Sequence, residues 1–177
     1  MLCKNIILKY KTSAGVNLIE LMISLTIMGI LAAIAAPSFE TWMNNMKIKT
    51  NTENIFAGIA DARAEAIKLN SSVSFVMDDK GSWNVIDVSS DKVLLENKQS
   101  STLDTVSASA SPSGANMITF NGFGRVIPNA DTSATITEVS IESSSSNTSV
   151  YSSKITMDAG GGVSYCSFNP SSLHPCS

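Results

Sequence analysis

The stretch that decides the fold is residues 14–37, which read AGVNLIELMISLTIMGILAAIAAP. From Leu21 to Ala36 no residue is charged, and Glu20 stands alone at the front of this apolar run. Together with Val16–Ile19, the run makes a helix of about 30 Å at a rise of roughly 1.5 Å per residue. A helix of that length crosses the hydrocarbon core of a bilayer. The stretch therefore predicts a membrane-spanning helix near the N-terminus.

Glu20 does not suit a plain membrane anchor. On insertion scales a carboxylate inside the bilayer costs roughly 2.5–3.5 kcal/mol, and ionisable residues in such helices are functional candidates for that reason. The cost falls if a cation pairs with the carboxylate. Glu20 is therefore the first candidate functional residue of the chain.

The 15 residues before the run form a basic leader. Met1–Gly15 contains three lysines and no acidic residue, which favours a cytoplasmic N-terminus. In an ordinary secretory signal the cleavage site follows the apolar region, whereas here the small pair Ala14-Gly15 precedes it. A cut between Gly15 and Val16 would leave the apolar segment on the mature protein.

This arrangement resembles the class III signal of type IV pilins and type II secretion pseudopilins. Gly15, the LIEL core at 18–21 and the length of the apolar run carry the resemblance, while the family more often has Phe in place of Val16 and Thr in place of Asn17. The resemblance implies that prepilin peptidase cleaves between Gly15 and Val16 and methylates the new amine of Val16. It also implies that Glu20 neutralises that amine on a neighbouring subunit during assembly.

Beyond Pro37 the helical pattern resumes, so residues 38–72 are expected to continue the helix as an amphipathic segment. The apolar residues recur mostly at spacings of three and four, at Ile48, Ile55, Ile59, Ala62, Ala66 and Leu69. Four ranges divide the chain: a leader removed from 1–15, a transmembrane and assembly helix over 16–37, its continuation over 38–72, and an extracytoplasmic β-sheet domain over 73–177.

After Ser72 the apolar residues alternate, which predicts strands. The expected strands are Val73–Met77, Trp83–Val88, Lys92–Leu95, Met117–Phe120, Gly124–Ile127, Thr135–Ile141, Tyr151–Met157 and Val163–Tyr165. Residues 100–115, rich in Ser and Ala, are expected to form a loop, and Ser143–Ser149 a polar tip. The predicted fold class is α+β and type IV pilin-like: a long N-terminal helix packed on an antiparallel β-sheet domain.

Composition excludes several functions. The 177 residues contain 12 basic and 15 acidic residues, and removal of the three leader lysines leaves nine basic residues and a formal charge of −6. A general nucleic-acid binder would instead show a basic patch. His174 is the single histidine, so nucleophilic catalysis lacks a credible base, and no phosphate-binding loop or metal set is present. We expect a protein that is not an enzyme and has no cofactor or metal.

Two cysteines remain after the leader, which contains Cys3, is removed. By the predicted topology Cys166 and Cys176 lie outside the cytoplasm, in an oxidising compartment that favours a disulfide. Such a bond would close a loop of about ten residues and contribute on the order of 2–3 kcal/mol. The alternative is a metal pair assisted by His174, for which the neighbouring sequence lacks further ligands.

The globular part resembles GspH/FimT-type sequences, the group that contains minor pilins and the minor pseudopilin of type II secretion. Four stretches carry this resemblance: ARAEAIKLN at 62–70, GSW at 81–83, ITFNGFGRV at 118–126 and ITMDAGGGVSYCSFNP at 155–170. Some FimT-like members bind extracellular DNA through arginines near the C-terminal glycine-rich strand. Residues 160–166 contain neither Arg nor Lys, so DNA uptake is the alternative function, and the sequence does not favour it.

The family implies a structural role, in which a minor subunit helps to initiate or tip a type IV pilus or a type II secretion pseudopilus. The implied partners are other pilins or pseudopilins, prepilin peptidase, the inner-membrane assembly platform and the membrane itself. The expected location is the bacterial inner membrane, crossed once, with the C-terminal domain in the periplasm and extraction into the filament on assembly. Nucleic acid is not an expected partner.

Overall fold

The computed structural model describes residues 15–98, 105–144 and 149–176. One helix, α1 (Leu18–Leu69), continues through Pro37, and the chain divides after Phe39 into two compact units. Residues 15–39 carry an apolar, exposed stretch of α1, and the described part of the second unit contains the rest of the helix with nine strands. Residues 1–14 of the leader, with Cys3, and most of the polar tip at 143–149 lie outside the described residues.

The nine strands form two antiparallel sheets. The strands are β1 (Val73–Met77), β2 (Trp83–Asp87), β3 (Lys92–Asn97), β4 (Val106–Ser111), β5 (Met117–Phe120), β6 (Val126–Ile127), β7 (Glu138–Ser143), β8 (Ser153–Met157) and β9 (Val163–Ser167). The five-stranded sheet has the order β3-β2-β1-β5-β6, and the four-stranded sheet has the order β4-β7-β8-β9. The predicted α+β architecture is therefore present, with its strands divided between two sheets.

Strand β4 corrects the expectation of a loop over 100–115. Residues 106–111 pair along their whole length with β7, and Val106 and Ala108 point into the core while the intervening Ser107 and Ser109 are exposed. The strand was missed because alanine adds little apolar area to the alternating pattern. Against the neighbouring β7, however, small side chains fill the inward positions.

The helix ends in a Schellman motif. Asn70 has a left-handed φ of 49°, its amide donates to the Ile67 carbonyl (3.2 Å), and the Ser71 amide donates to the Ala66 carbonyl (3.2 Å). Asn is the residue after Gly that most readily takes this conformation, so the sequence Leu69-Asn70-Ser71 ends the helix three residues before the expected boundary at 72.

One apolar core joins the helix to both sheets. The helix contributes five of the six predicted apolar positions, namely Ile48, Ile55, Ile59, Ala62 and Ala66, whereas Leu69 is exposed. Gly58 permits a close contact between the helix and β2, because a β-carbon there would lie 2.6 Å from the ring of Trp83. Trp83 is a core residue, only 8% exposed, and its ring also packs against Phe75 at 5.7 Å between ring centres.

Buried polar groups pair with one another beneath the five-stranded sheet. The Ser74 hydroxyl donates to the Thr119 hydroxyl (2.8 Å), which in turn donates to Oδ1 of Asn129 (2.8 Å). The Asn129 amide donates to backbone oxygens of Met117 and Ser133 (both 3.2 Å). This chain of hydrogen bonds satisfies three buried side chains and fixes the loop after β6.

Candidate functional site

Asn17 caps the start of α1. Its carbonyl accepts hydrogen bonds from the amides of Glu20 (3.0 Å) and Leu21 (3.2 Å), and its side-chain oxygen accepts one from Ile19 (3.5 Å). Asn is as effective at an N-cap as the Thr more common in the family, so this departure from the family pattern preserves the structural role. Val16 stands just outside the helix and is exposed.

Glu20 lies in the first turn of α1, where the helix dipole favours a carboxylate. Its side chain is exposed, and no ion pair engages it among the residues that the structure describes. The neighbouring helical residues Ile19 and Leu21 are apolar and more than half exposed. The carboxylate is thus presented on a surface that is otherwise suited to lipid or to another apolar helix.

Two hydroxyl side chains in the apolar part of α1 form hydrogen bonds within the helix. The hydroxyl of Ser24 donates to the carbonyl of Glu20, and that of Thr26 to the carbonyl of Met22, each at 2.8 Å. Such bonds one turn back remove the need for a partner in an apolar environment. By length and composition, α1 is the one helix among the described residues able to cross a membrane.

Three of the family-like stretches meet at Arg63. Its Nε donates to the carbonyl of Gly124 (2.9 Å), and Gly161 lies directly against the same carbonyl. From the sequence alone Arg63 would be interpreted as a surface charge, because it stands beside Glu65 on the amphipathic helix. It is instead half-buried and joins the helix to the turn between β5 and β6. Only the positions of Gly124 and Gly161 in the fold, not their spacing, could have revealed this role.

The turn at residues 121–125 is rigid. The Asn121 side-chain oxygen accepts hydrogen bonds from the amides of Phe123 and Arg125 (both 3.0 Å), and Gly122 lies so close to Asn70 that a β-carbon would be 2.6 Å from its side-chain oxygen. Arg125 is exposed at the end of this turn.

Cys166 and Cys176 form a disulfide, with their Cα atoms 5.0 Å apart. Two backbone hydrogen bonds support the loop that it closes: Ser167 N–H to the His174 carbonyl (2.8 Å) and Cys176 N–H to the Ser167 carbonyl (2.9 Å). The exposed His174 ring packs edge-on against Tyr165 at 5.3 Å. His174 thus helps to pack the loop in addition to facing solvent.

The described part of the chain does not present a basic surface at the C-terminal strand. Strand β9 has neither Lys nor Arg, and Lys154 on the adjacent β8 is paired with Glu138 at 3.1 Å. Its charge is therefore already partly neutralised by the protein. This arrangement does not favour the DNA-binding alternative.

The shifted carboxyl groups point away from acid–base chemistry. Hydrogen bonds from Ser90 and Ser89 lower the pKa of Asp87, and hydrogen bonds from Ser133 lower the pKa of Asp131. Asp87 ends strand β2 and is partly exposed, and Asp131 lies on an exposed turn. A general acid would need a raised pKa. Within the described ranges, no group of three His, Cys, Asp or Glu side chains is placed to hold a metal ion.

Two family models match this chain, one over the sheet-bearing unit and one over the start of the apolar helix. Residues 51–161 match the family described as type II transport protein GspH, and residues 11–36 match the prokaryotic N-terminal methylation motif. No curated protein sequence matches the chain significantly.

Two crystal structures of the type IV minor pilin FimU from Pseudomonas aeruginosa share the fold, each with a TM-score of 0.51. At 15% and 17% identity, the superpositions cover 70% and 66% of this chain and 90% of FimU in both cases. The fold is that of type IV pilins, and the family model covers more than half of the chain. The chain belongs to the GspH family, and it is a structural subunit of the minor pilin and pseudopilin type.

Proposed function

We propose that this protein is a membrane-inserted minor subunit that helps to initiate or tip a type IV pilus or a type II secretion pseudopilus. The observation that carries the proposal is the capped start of α1, which presents a lone exposed carboxylate one turn after Val16. Prepilin peptidase cleaves between Gly15 and Val16 and methylates the Val16 amine. Glu20 then neutralises this amine on the neighbouring subunit.

The apolar part of α1 supports both stages of this route. Residues 18–36 are all exposed, so they can contact lipid before assembly and the helices of other pilins afterwards. The three lysines of the leader keep the N-terminus on the cytoplasmic side, which places the sheet-bearing unit in the periplasm. The assembly platform of the inner membrane extracts the subunit into the filament.

Processing is tested by co-expression with a prepilin peptidase and intact-mass measurement of the mature chain. The expected product begins at Val16 and carries one added methyl group. A mature N-terminus at any other residue would contradict the proposed cleavage.

Assembly is tested by Glu20→Ala, with Ser24→Ala as the matched control one turn further along the same helix. Loss of one member of a buried ion pair costs about 3–5 kcal/mol, equivalent to a fall of roughly two to four orders of magnitude in incorporation. We expect Glu20→Ala in the membrane fraction at the normal level and absent from sheared filaments. The Ser24→Ala variant should assemble normally, and recovery of Glu20→Ala in the filaments at the same level would refute the role of Glu20.

A further inference from the structure

A cavity of about 490 Å³ lies within the sheet-bearing unit, between the part of α1 that follows Phe39 and the disulfide-closed loop. Its volume is within the usual range for sites that enclose a small molecule. Its walls combine aromatic rings with neutral polar side chains, and these include Trp42, Tyr151, Tyr165, Thr52, Asn169 and Ser172. This mixed lining suits a ligand that has both apolar faces and hydrogen-bonding edges.

Contacts within the protein fix two sides of the cavity. The Asn45 side-chain oxygen accepts a hydrogen bond from the Tyr151 amide (3.0 Å), which ties the segment before β8 to the helix. The Tyr165 ring packs against Phe56 at 5.2 Å and against His174 at 5.3 Å, measured between ring centres. A ligand therefore meets walls that are already positioned, so binding requires little further ordering of the protein.

A hydroxyl in the cavity wall lacks a hydrogen-bond partner. The Ser172 oxygen is buried and forms no hydrogen bond within the part of the chain that the structure describes. Buried polar atoms without a partner are uncommon in native proteins, and a bound water or ligand is one way to satisfy them. In the same loop, the Asn169 side-chain oxygen accepts a hydrogen bond from the Ser171 amide (2.9 Å), which orients its NH₂ group. The loop thus offers hydrogen-bonding groups to a polar ligand.

The charges in the cavity wall favour a neutral ligand. Lys49 and Glu53 both line the cavity, and their charged groups lie 3.9 Å apart and balance each other. A phosphate or another strongly charged group would find no uncompensated opposite charge among these wall residues. The hydrogen-bonding groups of the ligand should therefore be hydroxyls or amides.

We propose that this cavity binds a neutral saccharide, as a disaccharide unit that is either free or part of a longer chain. The faces of a sugar ring present C–H groups with a slight positive charge, which pack on the negative faces of aromatic rings. Trp42 and Tyr151, which are 55% and 38% exposed, offer such rings. The sugar hydroxyls bind Ser172 and Asn169. This binding is an additional property of the sheet-bearing unit and does not depend on the membrane-inserted role of α1.

The test uses the full chain, with nitrogen-15 in its tryptophans, in micelles of a detergent that has no sugar headgroup. The sequence contains two tryptophans, so Trp42 and the buried Trp83 give two indole N–H signals in NMR spectra. We expect cellobiose and N,N′-diacetylchitobiose to shift the Trp42 signal until it saturates and to leave the Trp83 signal unchanged. Cellohexaose distinguishes the two sources of the sugar. Saturation at a concentration about tenfold lower than for cellobiose supports a longer chain, and equal concentrations support a free disaccharide.

Tyr151→Ala removes one ring from the cavity, while the backbone amide at this position can still donate to Asn45. We expect this substitution to raise the half-saturating sugar concentration about tenfold. Phe123→Ala is the matched control, because Phe123 is an 83% exposed ring that does not line the cavity. It should leave the half-saturating concentration unchanged. The Trp83 signal reports the folded core of each variant in the same spectra.

A Trp42 signal that does not move with any of the sugars, while the Trp83 signal is native, refutes the proposal. A shift caused by a neutral glycine–serine peptide and not by the sugars assigns the cavity to a peptide, which also refutes it. Equal half-saturating concentrations for the unaltered chain and Tyr151→Ala would place the sugar outside the cavity and contradict the assignment. None of these results affects the membrane-inserted role, which the mass and filament measurements test separately.

Discussion

Gly161 occupies a position that only glycine satisfies without rearrangement. Its φ is +84°, and its α-carbon faces the carbonyl of Gly124 so closely that a β-carbon would overlap the oxygen. Gly114 has almost the same φ, +82°, but open space around the site of a β-carbon. Substitutions at these two positions therefore distinguish the free-energy cost of a left-handed backbone from the cost of a steric clash with the Gly124 carbonyl.

We predict that Gly161→Ala lowers the free energy of unfolding by about 2–5 kcal/mol, and Gly114→Ala by about 1–2 kcal/mol. The left-handed conformation alone costs the smaller amount for a residue with a side chain. The overlap with the Gly124 carbonyl adds about 1–3 kcal/mol, since the turn has to move away from the helix. Urea unfolding of the full chain in detergent measures both values, and equal losses would show that the contact with Gly124 is not restrictive.

At the scale of elements, Arg63 connects α1 to the turn between β5 and β6. Its hydrogen bond to the Gly124 carbonyl is charge-assisted and half-buried, and Gly161 covers the same carbonyl from the loop between β8 and β9. Arg63 thus lies where a turn of one sheet and a loop of the other meet the helix.

We predict that Arg63→Met destabilises the protein by about 1.5–3 kcal/mol, the usual range for hydrogen bonds to a charged group. Methionine preserves most of the apolar stem, so the loss reports the hydrogen bond. Arg125→Met is the matched control, because Arg125 is the chain's other arginine, is exposed, and belongs to the same turn. Its effect should stay within about 0.5 kcal/mol, and a similar effect of the two substitutions would show that general charge, not the Gly124 contact, is responsible.

Long elements with a strong pattern could be predicted from the sequence, and short junctions could not. In the helix and in strands such as Val73–Met77 and Met117–Phe120, the spacing of the apolar residues is enough to predict the element. Strand β4 could not be predicted because Ser and Ala give only a weak alternation of polar and apolar residues. Its pairing with β7 also depends on residues about 30 positions away. The contact between Arg63 and Gly124 could not be predicted either, because it depends on three segments that are distant in the sequence.

In the candidate site too, local features could be predicted from the sequence and contacts between distant segments could not. The apolar run, Glu20 and the cysteine pair are local features, so the sequence sufficed to propose them. The cap formed by Asn17 could also have been read from its position before the helix. The cavity of about 490 Å³ lined by Trp42 and Tyr151 could not, because these two residues stand more than 100 positions apart in the chain.

At the scale of the whole molecule, both sheets share one core with the helix. Ile118 of the five-stranded sheet and Ile155 of the four-stranded sheet are each 0% exposed and belong to the same apolar cluster. The helix contacts both sheets, since Gly58 lies against Trp83 of β2 and Phe56 packs on Tyr165 of β9 at 5.2 Å. Neither sheet has a separate core to sustain it alone, so the two should unfold together.

We predict that Ile118→Ala and Ile155→Ala each lower the free energy of unfolding by about 2–5 kcal/mol and shift a single common transition. Ile67→Ala is the control, because Ile67 is 50% exposed and its truncation leaves no buried cavity. In a Trp42→Phe background, Trp83 emission follows the five-stranded sheet, while amide exchange in β8 follows the other. Coincident curves are expected because a cavity in either sheet weakens the core that both share. If Ile155→Ala instead released β8 while Trp83 remained native, the sheets would be independent folding units and the shared core would not govern stability.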